Sequence, residues 1–418
     1  METRYDIVIC GGGLVGLMLA NLLATSHYTI ALIDAGTAPK SQSADQSQNP
    51  GPNREQSAAM LTGHGLTSGY APRVSVLNSA SIGLLERCEV FTTLGRHAIF
   101  SHMQVKDGEG TGEIRFSAED IGVPQLGMVI ENHLVVTALY KRLEEFENIE
   151  LLFDHKVEEI SEAEAEAEAE AEAGSLVTLD NNNVLSCSLL VGADGGNSRV
   201  RELKGLQTAG WAYDQTAVVT TIQTTRPHGN IPRQWFTVNG PLAFLPLADA
   251  NLCSIVWSHR EADKLMALDS ESFCCALSEV SESELGEVTG VDRRFSFPLK
   301  QQHAYRYVSA GVALVGDAAH TIHPLAGQGA NLGLADAEAL ALEIKQARLS
   351  GQQPGDIAVL RRFAVTRQPH NLAVAAAMET LKRLYGSESP AIGWLRNHGM
   401  RMLNQNGPLK SLMMKFAS

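Results

Sequence analysis

No stretch of this 418-residue chain holds the roughly 18 consecutive apolar residues that a membrane-crossing helix needs, so no segment is expected to span a bilayer. Cysteine is scarce. Six occur, at positions 10, 88, 187, 253, 274 and 275, with no CxxC pair and mostly apolar neighbours. That pattern reads as reduced thiols in a cytosolic protein rather than a disulfide framework. The adjacent Cys274 and Cys275 leave open a redox pair, with buried filler as the alternative. Basic residues are outnumbered, 33 Lys and Arg against 47 Asp and Glu, and the net charge of −14 argues against nucleic acid as a partner. A strand-like run begins at Tyr5, leaving no room for a signal peptide ahead of it. No metal-ligating cluster and no Ser/His/Asp arrangement stands out.

What is there is an ordinary globular composition, 44% hydrophobic, in a chain long enough for two or more domains. The charge is uneven. Residues 346–418 hold ten Lys and Arg and three Asp and Glu, a net +7 that leaves −21 on the rest of the chain. A basic C-terminal segment on an acidic body is suited to meet an anionic surface, a membrane or an acidic partner. Intramolecular charge balance is the alternative.

The opening reads as a βαβ unit: strand YDIVIC (5–10), turn GGGLVG, helix LVGLMLANLLAT, strand TIALID (29–34). Residues 35–72, rich in Ser, Gln, Pro, Gly and Asn, form a long loop. Helical spacing is predicted over 74–88 and again over 129–147, with strands such as AIFSHMQVKDG and GEIRFSA between them. The repeat EAEAEAEAEAEA (162–173) lies between two candidate strands and reads as a solvated excursion of a hairpin. SLLVGADGGNSRVREL (188–203) is a second buried strand ending in a Gly/Asp turn. From 217 to 299 the chain is strand-rich, and helices follow to the end.

Three glycine-marked turns carry the chemistry. Gly11, Gly13 and Gly16 form GxGxxG directly after a strand, where a tight turn, a close backbone approach and a free helix N-terminus together suit a dinucleotide pyrophosphate. Asp34 ends the next strand, placed to accept from adenosine ribose hydroxyls. GADGG (192–196) supplies a second turn with Asp194 and Gly195. GDAAHTIHPLAGQGANLG (316–333) supplies the third, where an apolar run hands over to a helix. This density of glycine exceeds what a capped surface turn requires.

That third stretch resembles the second FAD fingerprint of the flavin-dependent aromatic hydroxylases. The resemblance implies that Gly316 and Asp317 take the ribityl chain, and that Gly327, Gln328, Gly329, Ala330 and Asn331 offer backbone N–H groups to the pyrimidine edge of the flavin. Such donors would stabilise charge on the reduced ring. Asp194 and Gly195 match the family's Asp-Gly motif near the pyrophosphate, and Arg73, in PRVSVLNSAS, matches an arginine that contacts the cofactor. VGDAAHTIHPLAGQGANLG, with LAFLPLADANLCSIVWS (242–258) and VIENHLVVTALY (129–140), is similar to the ubiquinone-biosynthesis hydroxylases of the UbiH/UbiF/VisC type. Their 2-polyprenylphenol 5-hydroxylase branch is the nearest, and relatives acting at ring positions 6 and 1 share most of these motifs.

The resemblance implies an α/β fold: a discontinuous Rossmann-like FAD-binding domain, an inserted β-sheet substrate domain and a C-terminal helical segment. On this chain the FAD-binding parts are 1–88, 129–210 and 301–345, the substrate-domain strands 89–128 and 211–300, and the basic helices 346–418. It implies FAD as cofactor, NAD(P)H as co-substrate without its own Rossmann domain, O2, and a lipophilic phenol hydroxylated through a flavin C4a-hydroperoxide. The strand Leu242–Leu247 is the candidate pocket wall. His320 and His323 lie where proton handling is conceivable, with satisfaction of backbone groups the blander role, and Pro324 would shape the wall. The expected location is cytoplasmic and peripheral to the inner membrane, with a membrane surface or a biosynthetic complex met through the C-terminal segment. An isoprenoid reductase of the same fold, or a scaffold subunit that merely holds FAD, remain alternatives. A flavin halogenase is disfavoured, since WxWxIP is absent around Trp211, Trp235 and Trp257.

Overall fold

The computed structural model describes residues 2–39, 65–162, 174–322, 327–387 and 389–417. Two large sheets organise the chain. The first runs in the order Val308–Ser309, Val312–Leu314, Val184–Gly192, Glu2–Cys10, Ile30–Asp34, Ile149–Phe153. Its central strands are parallel, as the βαβ pattern predicts. Ile7, Val8 and Ile9 are fully buried, because helices cover both faces of a parallel sheet. Among those helices Leu14–Leu23 packs against Gln328–Leu349 and Asn132–Leu143.

The second sheet has nine strands. Along it lie His320–Thr321, Phe295–Ala304, Thr208–Thr224, Leu252–His259, Gly240–Pro246, Arg233–Thr237, His102–Asp107 and Glu113–Ser117, with Val288–Val291 beside Thr208–Thr224. One face is covered by the helices Ala262–Ala267 and Ser270–Val280, through Leu265, Phe273, Cys274 and Leu277 on Trp257, Leu242 and Phe244. The opposite face carries a small cluster of Tyr213, Ala217, Val219 and Leu299, with Val256 and Phe297 beside it. A three-stranded sheet of Val74–Asn78, Gly127–Glu131 and His97–Phe100 lies between the larger two in the chain order.

Several sequence expectations change here. Residues 74–88 are not one helix: Val74–Asn78 is a strand, and the helix Ser79–Arg87 starts where the Asn78 side chain accepts from the Ser81 N–H. Alternating Val and polar residues favour the strand, and Asn is a strong N-cap. Likewise Val129–Glu131 belongs to a strand, and the helix begins at Asn132. The two helices at 262–280 interrupt what reads as continuous strand sequence; Asp269 caps the second by accepting from Ser272. The segment 89–128 divides between two sheets, and the boundaries at 128, 210, 300 and 345 each fall inside an element.

Residues 40–64 of the expected long loop and 163–173 of the Glu/Ala repeat lie outside the described residues. The strands flanking that repeat, Val157–Glu162 and Ser175–Leu179, pair antiparallel as a hairpin. All six cysteines are free; Cys274 is buried under the sheet whereas its neighbour Cys275 is exposed.

The C-terminal helices Ile357–Tyr385, Pro390–Gln405 and Gly407–Ala417 spend their charge inward. Arg396 donates to both carboxylate oxygens of buried Asp107, Lys410 pairs with Asp120, and Arg362, Arg367, Lys382 and Arg383 each have an acidic partner. Five of the ten basic residues in this segment are thus drawn into contacts with the acidic body, while Arg383 pairs with Glu379 on its own helix.

Candidate active site

The three glycine turns meet at the carboxyl ends of the central parallel strands, where ligands of open α/β sheets bind. Gly11 has φ +118, and a Cβ there would overlap the Ala193 carbonyl; a Cβ on Gly16 would overlap the carbonyl of Gly11. The first turn is therefore locked against the second by backbone contact, a fit open only to glycine. Ala193 N–H donates to Cys10 O at 2.7 Å and Val315 N–H to Gly192 O at 3.0 Å, which adds the third turn to the same corner. Arg201 completes the junction. Its buried guanidinium donates to Ala318 O at 2.7 Å and to Gly196 O at 2.9 Å, bridging the second and third turns.

Asp34 accepts from Gly12 N–H at 2.6 Å and from Gly36 N–H at 2.7 Å, so its carboxylate is fixed beside the first turn with lone pairs to spare. Asp194 Oδ2 caps the short helix Arg199–Leu203 by accepting from Arg199 and Val200 N–H, while its Oδ1 is buried with no partner among the described residues. Gly195, at φ +79, faces open space, as do the missing side chains of Gly13 and Gly329.

Asp317 lies in the 3₁₀ turn Gly316–Ala318. Its carboxylate is open to solvent on one side and accepts no hydrogen bond from the described residues. Crowding by the surrounding walls pushes the group above the ordinary carboxylate range, while His320, Lys300 and Arg73 pull it back. Arg73 is exposed, its guanidinium 5.0 Å from the Phe297 ring. This brings the arginine from the far side of the cleft to the sheet face that carries Leu299 and Tyr213.

Gly327, at φ +66, opens the helix Gln328–Leu349; a Cβ there would press on Val76. Gln328, Gly329 and Ala330 are its first three residues, whose N–H groups have no intrahelical acceptor, whereas the Asn331 N–H makes the first helical bond, to the Gly327 carbonyl. The Asn331 side chain is already committed: it accepts from Asn78 N–H and Ser81 Oγ and donates to Val76 O at 2.8 Å. Asn331 therefore ties the strand Val74–Asn78 to the helix start, and the expected backbone donor to the flavin at this position is already used.

His320 does not open onto the cleft. It is 1% exposed, its Nε2 2.5 Å from Asp336 Oδ2, and its ring stacks on Tyr307. Asp336, fully buried, also accepts from Gly316 N–H at 3.1 Å, Arg367 Nε at 2.8 Å and Asn371 Nδ2 at 2.9 Å. Burial alone would raise the Asp336 carboxyl, but His320 and Arg367 outweigh it and hold the group below the usual range. His320 is therefore a positioning residue, tying the Asp317 turn to two helices. His323 and Pro324 lie outside the described residues.

Sequence reading missed Arg201, Asp336, Arg367 and Asn371. One signal for Asp336 was present: with Leu332 and Leu340 it follows an i, i+4, i+8 spacing on the buried stripe of its helix, where an unpaired acid is too costly to keep. The candidate pocket wall is halved: Ala243 and Leu245 share a face with Val256 of the cluster around Leu299, and their neighbours do not. In the strand Gly240–Pro246, Leu242 and Phe244 are buried against the helical cover, away from the cleft. Strand alternation had no way to say which side that was.

These residues fit FAD. Three glycines leave space where side chains would stand, one carboxylate oxygen is buried and orphaned, and a second carboxylate is exposed and free. Comparison with known proteins agrees. A family model described as an FAD binding domain matches residues 57–375. The human ubiquinone biosynthesis monooxygenase COQ6, mitochondrial, is 32% identical over 100% of this chain and 93% of that protein. The 3-demethoxyubiquinol 3-hydroxylase of Escherichia coli (strain K12) is 30% identical over 99% of this chain and 98% of that protein.

Among solved structures, Pseudomonas aeruginosa PqsL in complex with 2-aminobenzoylacetate superposes with TM-score 0.73 at 22% identity, covering 92% of this chain and 97% of that one. The p-nitrophenol 4-monooxygenase PnpA of Pseudomonas putida DLL-E4 gives 0.73 at 17%, covering 99% and 97%. At these identities the two structures show the shared fold. With the family model and the curated relatives in agreement, the chain belongs to the UbiH/UbiF/VisC-type family of flavoprotein hydroxylases, as an NAD(P)H-dependent monooxygenase of ubiquinone biosynthesis that uses FAD.

Proposed function

We propose that this monooxygenase hydroxylates the aromatic ring of a polyprenylphenol, consuming NAD(P)H and O2. The observation that carries the reading is the free carboxylate of Asp317 within electrostatic reach of Arg73, whose guanidinium lies over Phe297 at the edge of the apolar cluster of Leu299, Tyr213 and Val219. When bound, FAD supplies the redox chemistry: it accepts a hydride from NAD(P)H and activates O2.

The protein's own residues bind and orient. The turn at Gly11, Gly13 and Gly16, with Asp194 and Gly195, holds the pyrophosphate, Asp34 the adenosine ribose, and Asp317 the ribityl hydroxyls. N–H groups of residues 328–330 face the pyrimidine edge, where a helix N-terminus favours negative charge. Arg73 flanks the ring. The apolar sheet face seats the phenol and excludes water, which guards against wasteful release of peroxide. Turnover of the FAD-loaded protein with NADH or NADPH and a short-tailed polyprenylphenol is expected to give a product one oxygen heavier, with the new hydroxyl on the ring. NAD(P)H oxidation that yields only hydrogen peroxide would count against the substrate.

We also propose peripheral contact with a membrane through the last helices. Here the support is apolar: Trp394, Leu395, Met402, Leu409 and Leu412 are exposed, whereas six of the segment's basic residues are ion-paired within the fold. Flotation with liposomes is expected to show binding that survives high salt. Binding abolished by salt would mean an electrostatic contact instead.

A further inference from the structure

The chain reaches Arg73 along a strap, residues 65–72, whose only regular pairing is one bridge between Gly65 and Val291. Leu66 N–H donates to Val291 O at 3.0 Å, at the edge of the nine-stranded sheet. Ser68 then donates to Asp292 Oδ2, from its N–H at 3.0 Å and from its hydroxyl at 2.6 Å. Tyr70 OH donates to Asp249 Oδ2 at 2.9 Å, in the turn between the strands Gly240–Pro246 and Leu252–His259.

The next grip is of another kind. Glu131, 1% exposed, ends the strand Gly127–Glu131 and accepts from Ala71 N–H at 2.6 Å. Arg96 donates to both oxygens of that carboxylate, from Nε at 2.8 Å and from Nη2 at 3.1 Å. The same guanidinium donates to Gly69 O and lies 3.6 Å from the centre of the Tyr70 ring. One ion pair therefore fixes three consecutive residues of the strap, through two hydrogen bonds and a cation–π contact. Arg73 follows two residues on, its carbonyl accepting from Asn132 N–H at 3.0 Å. From this anchored backbone its guanidinium lies over Phe297, within electrostatic reach of Asp317.

The pair is not needed to join the elements that carry it. The strands His97–Phe100 and Gly127–Glu131 are already hydrogen-bonded to each other. Its remaining contacts all go to the segment leading to Arg73. A segment without helix or sheet of its own keeps little order, and ordering it only when a ligand arrives would cost affinity. We propose that Arg96 and Glu131 are positioning residues for the cofactor, acting through the strap to hold Arg73 at the rim of the flavin site. The inference rests on the reading that Arg73 flanks the flavin ring.

The test is a double-mutant cycle on FAD release from the holoenzyme, followed as free-flavin fluorescence on dilution. Arg73→Met is expected to weaken FAD binding about tenfold. Arg96→Met combined with Glu131→Gln removes both charges at once, so neither is left buried alone. This pair variant is expected to weaken binding about fivefold with Arg73 present and less than about twofold in the Arg73→Met background. Arg96→Lys keeps a charge beside Glu131 but lacks the fork that also reaches Gly69 O, and is expected to lose about threefold, again only where Arg73 is present. Losses as large without Arg73 as with it would show support of the fold alone and overturn the proposal. So would a pair variant that keeps its FAD while Arg73→Met loses it. Failure of the Arg73 reading shows separately: an Arg73→Met protein that holds FAD like the wild type would remove that reading, and the proposal with it.

Discussion

The two faces of the nine-stranded sheet are built from the same strands and are put to different use. On one face Trp235, Leu242, Phe244, Ile255 and Trp257 are sealed beneath Phe273 and Leu277. On the other, Tyr213, Ala217, Val219 and Leu299 form a small buried cluster edged by partly exposed Phe297 and Val256, and Phe236 with Val105 packs under Tyr385 and Met400 of the C-terminal helices. The sealed face supplies stability. The thin face leaves apolar surface for a substrate to cover, which a fully packed core would not. The difference teaches that two helical covers of unequal extent can leave one stretch of a sheet, between Phe297 and Trp211, for a guest to cover.

The sharpest way to break this comparison is on the sealed side. Phe273 is fully buried, and Phe273→Ala is expected to cost about 3–5 kcal/mol, read by urea unfolding, while flavin content per folded molecule stays that of the wild type. Loss of flavin in step with stability would erase the division of labour.

Asp336 lies between the two categories. Asp336→Asn leaves Arg367 buried without its counter-charge and is expected to cost about 3 kcal/mol at neutral pH. The folded protein holds this carboxyl below its usual value of 3.8, so its contribution is present at neutral pH and lost as pH falls through the depressed folded value. The gap between wild type and variant should therefore close on acidification. A gap that stays constant with pH would show that the ion pair is not its source.

Asp317 belongs to the thin side and should give the smallest change in stability. Its carboxyl is raised in the folded state, a penalty that appears as pH rises above the usual value and persists at neutrality. Asp317→Asn is thus expected to melt slightly higher as apoprotein and yet to purify colourless. A variant that purifies fully yellow would remove Asp317 from the cofactor site.

Much of this was legible in the sequence, and the reason is local. GGGLVG, GADGG and GDAAH mark places where the backbone itself must turn or be approached, so glycine and aspartate betray them without tertiary knowledge. Asn78 and Asn132 show where legibility failed: the change from strand to helix comes inside an apolar run, marked in 74–88 by the Asn78 cap and in 129–147 by no side-chain cap at all. The faces of Leu242 and Phe244, the partners of Asp336 and the inward turn of Arg396 are long-range facts. Residues 289 apart in sequence, Arg396 and Asp107, leave no local trace of their contact.

One hydrogen-bonded seam gives the molecule a mechanical property. Gln302 and His303 pair with Thr321 and His320, so the edge of the substrate-side sheet is stitched to the chain just after Asp317. Any sliding of that sheet must drag the cofactor's seat with it, which couples how a guest settles on one body to the posture of the other. Grafting the sheet from a relative to change specificity would then succeed only if the stitch travelled with it.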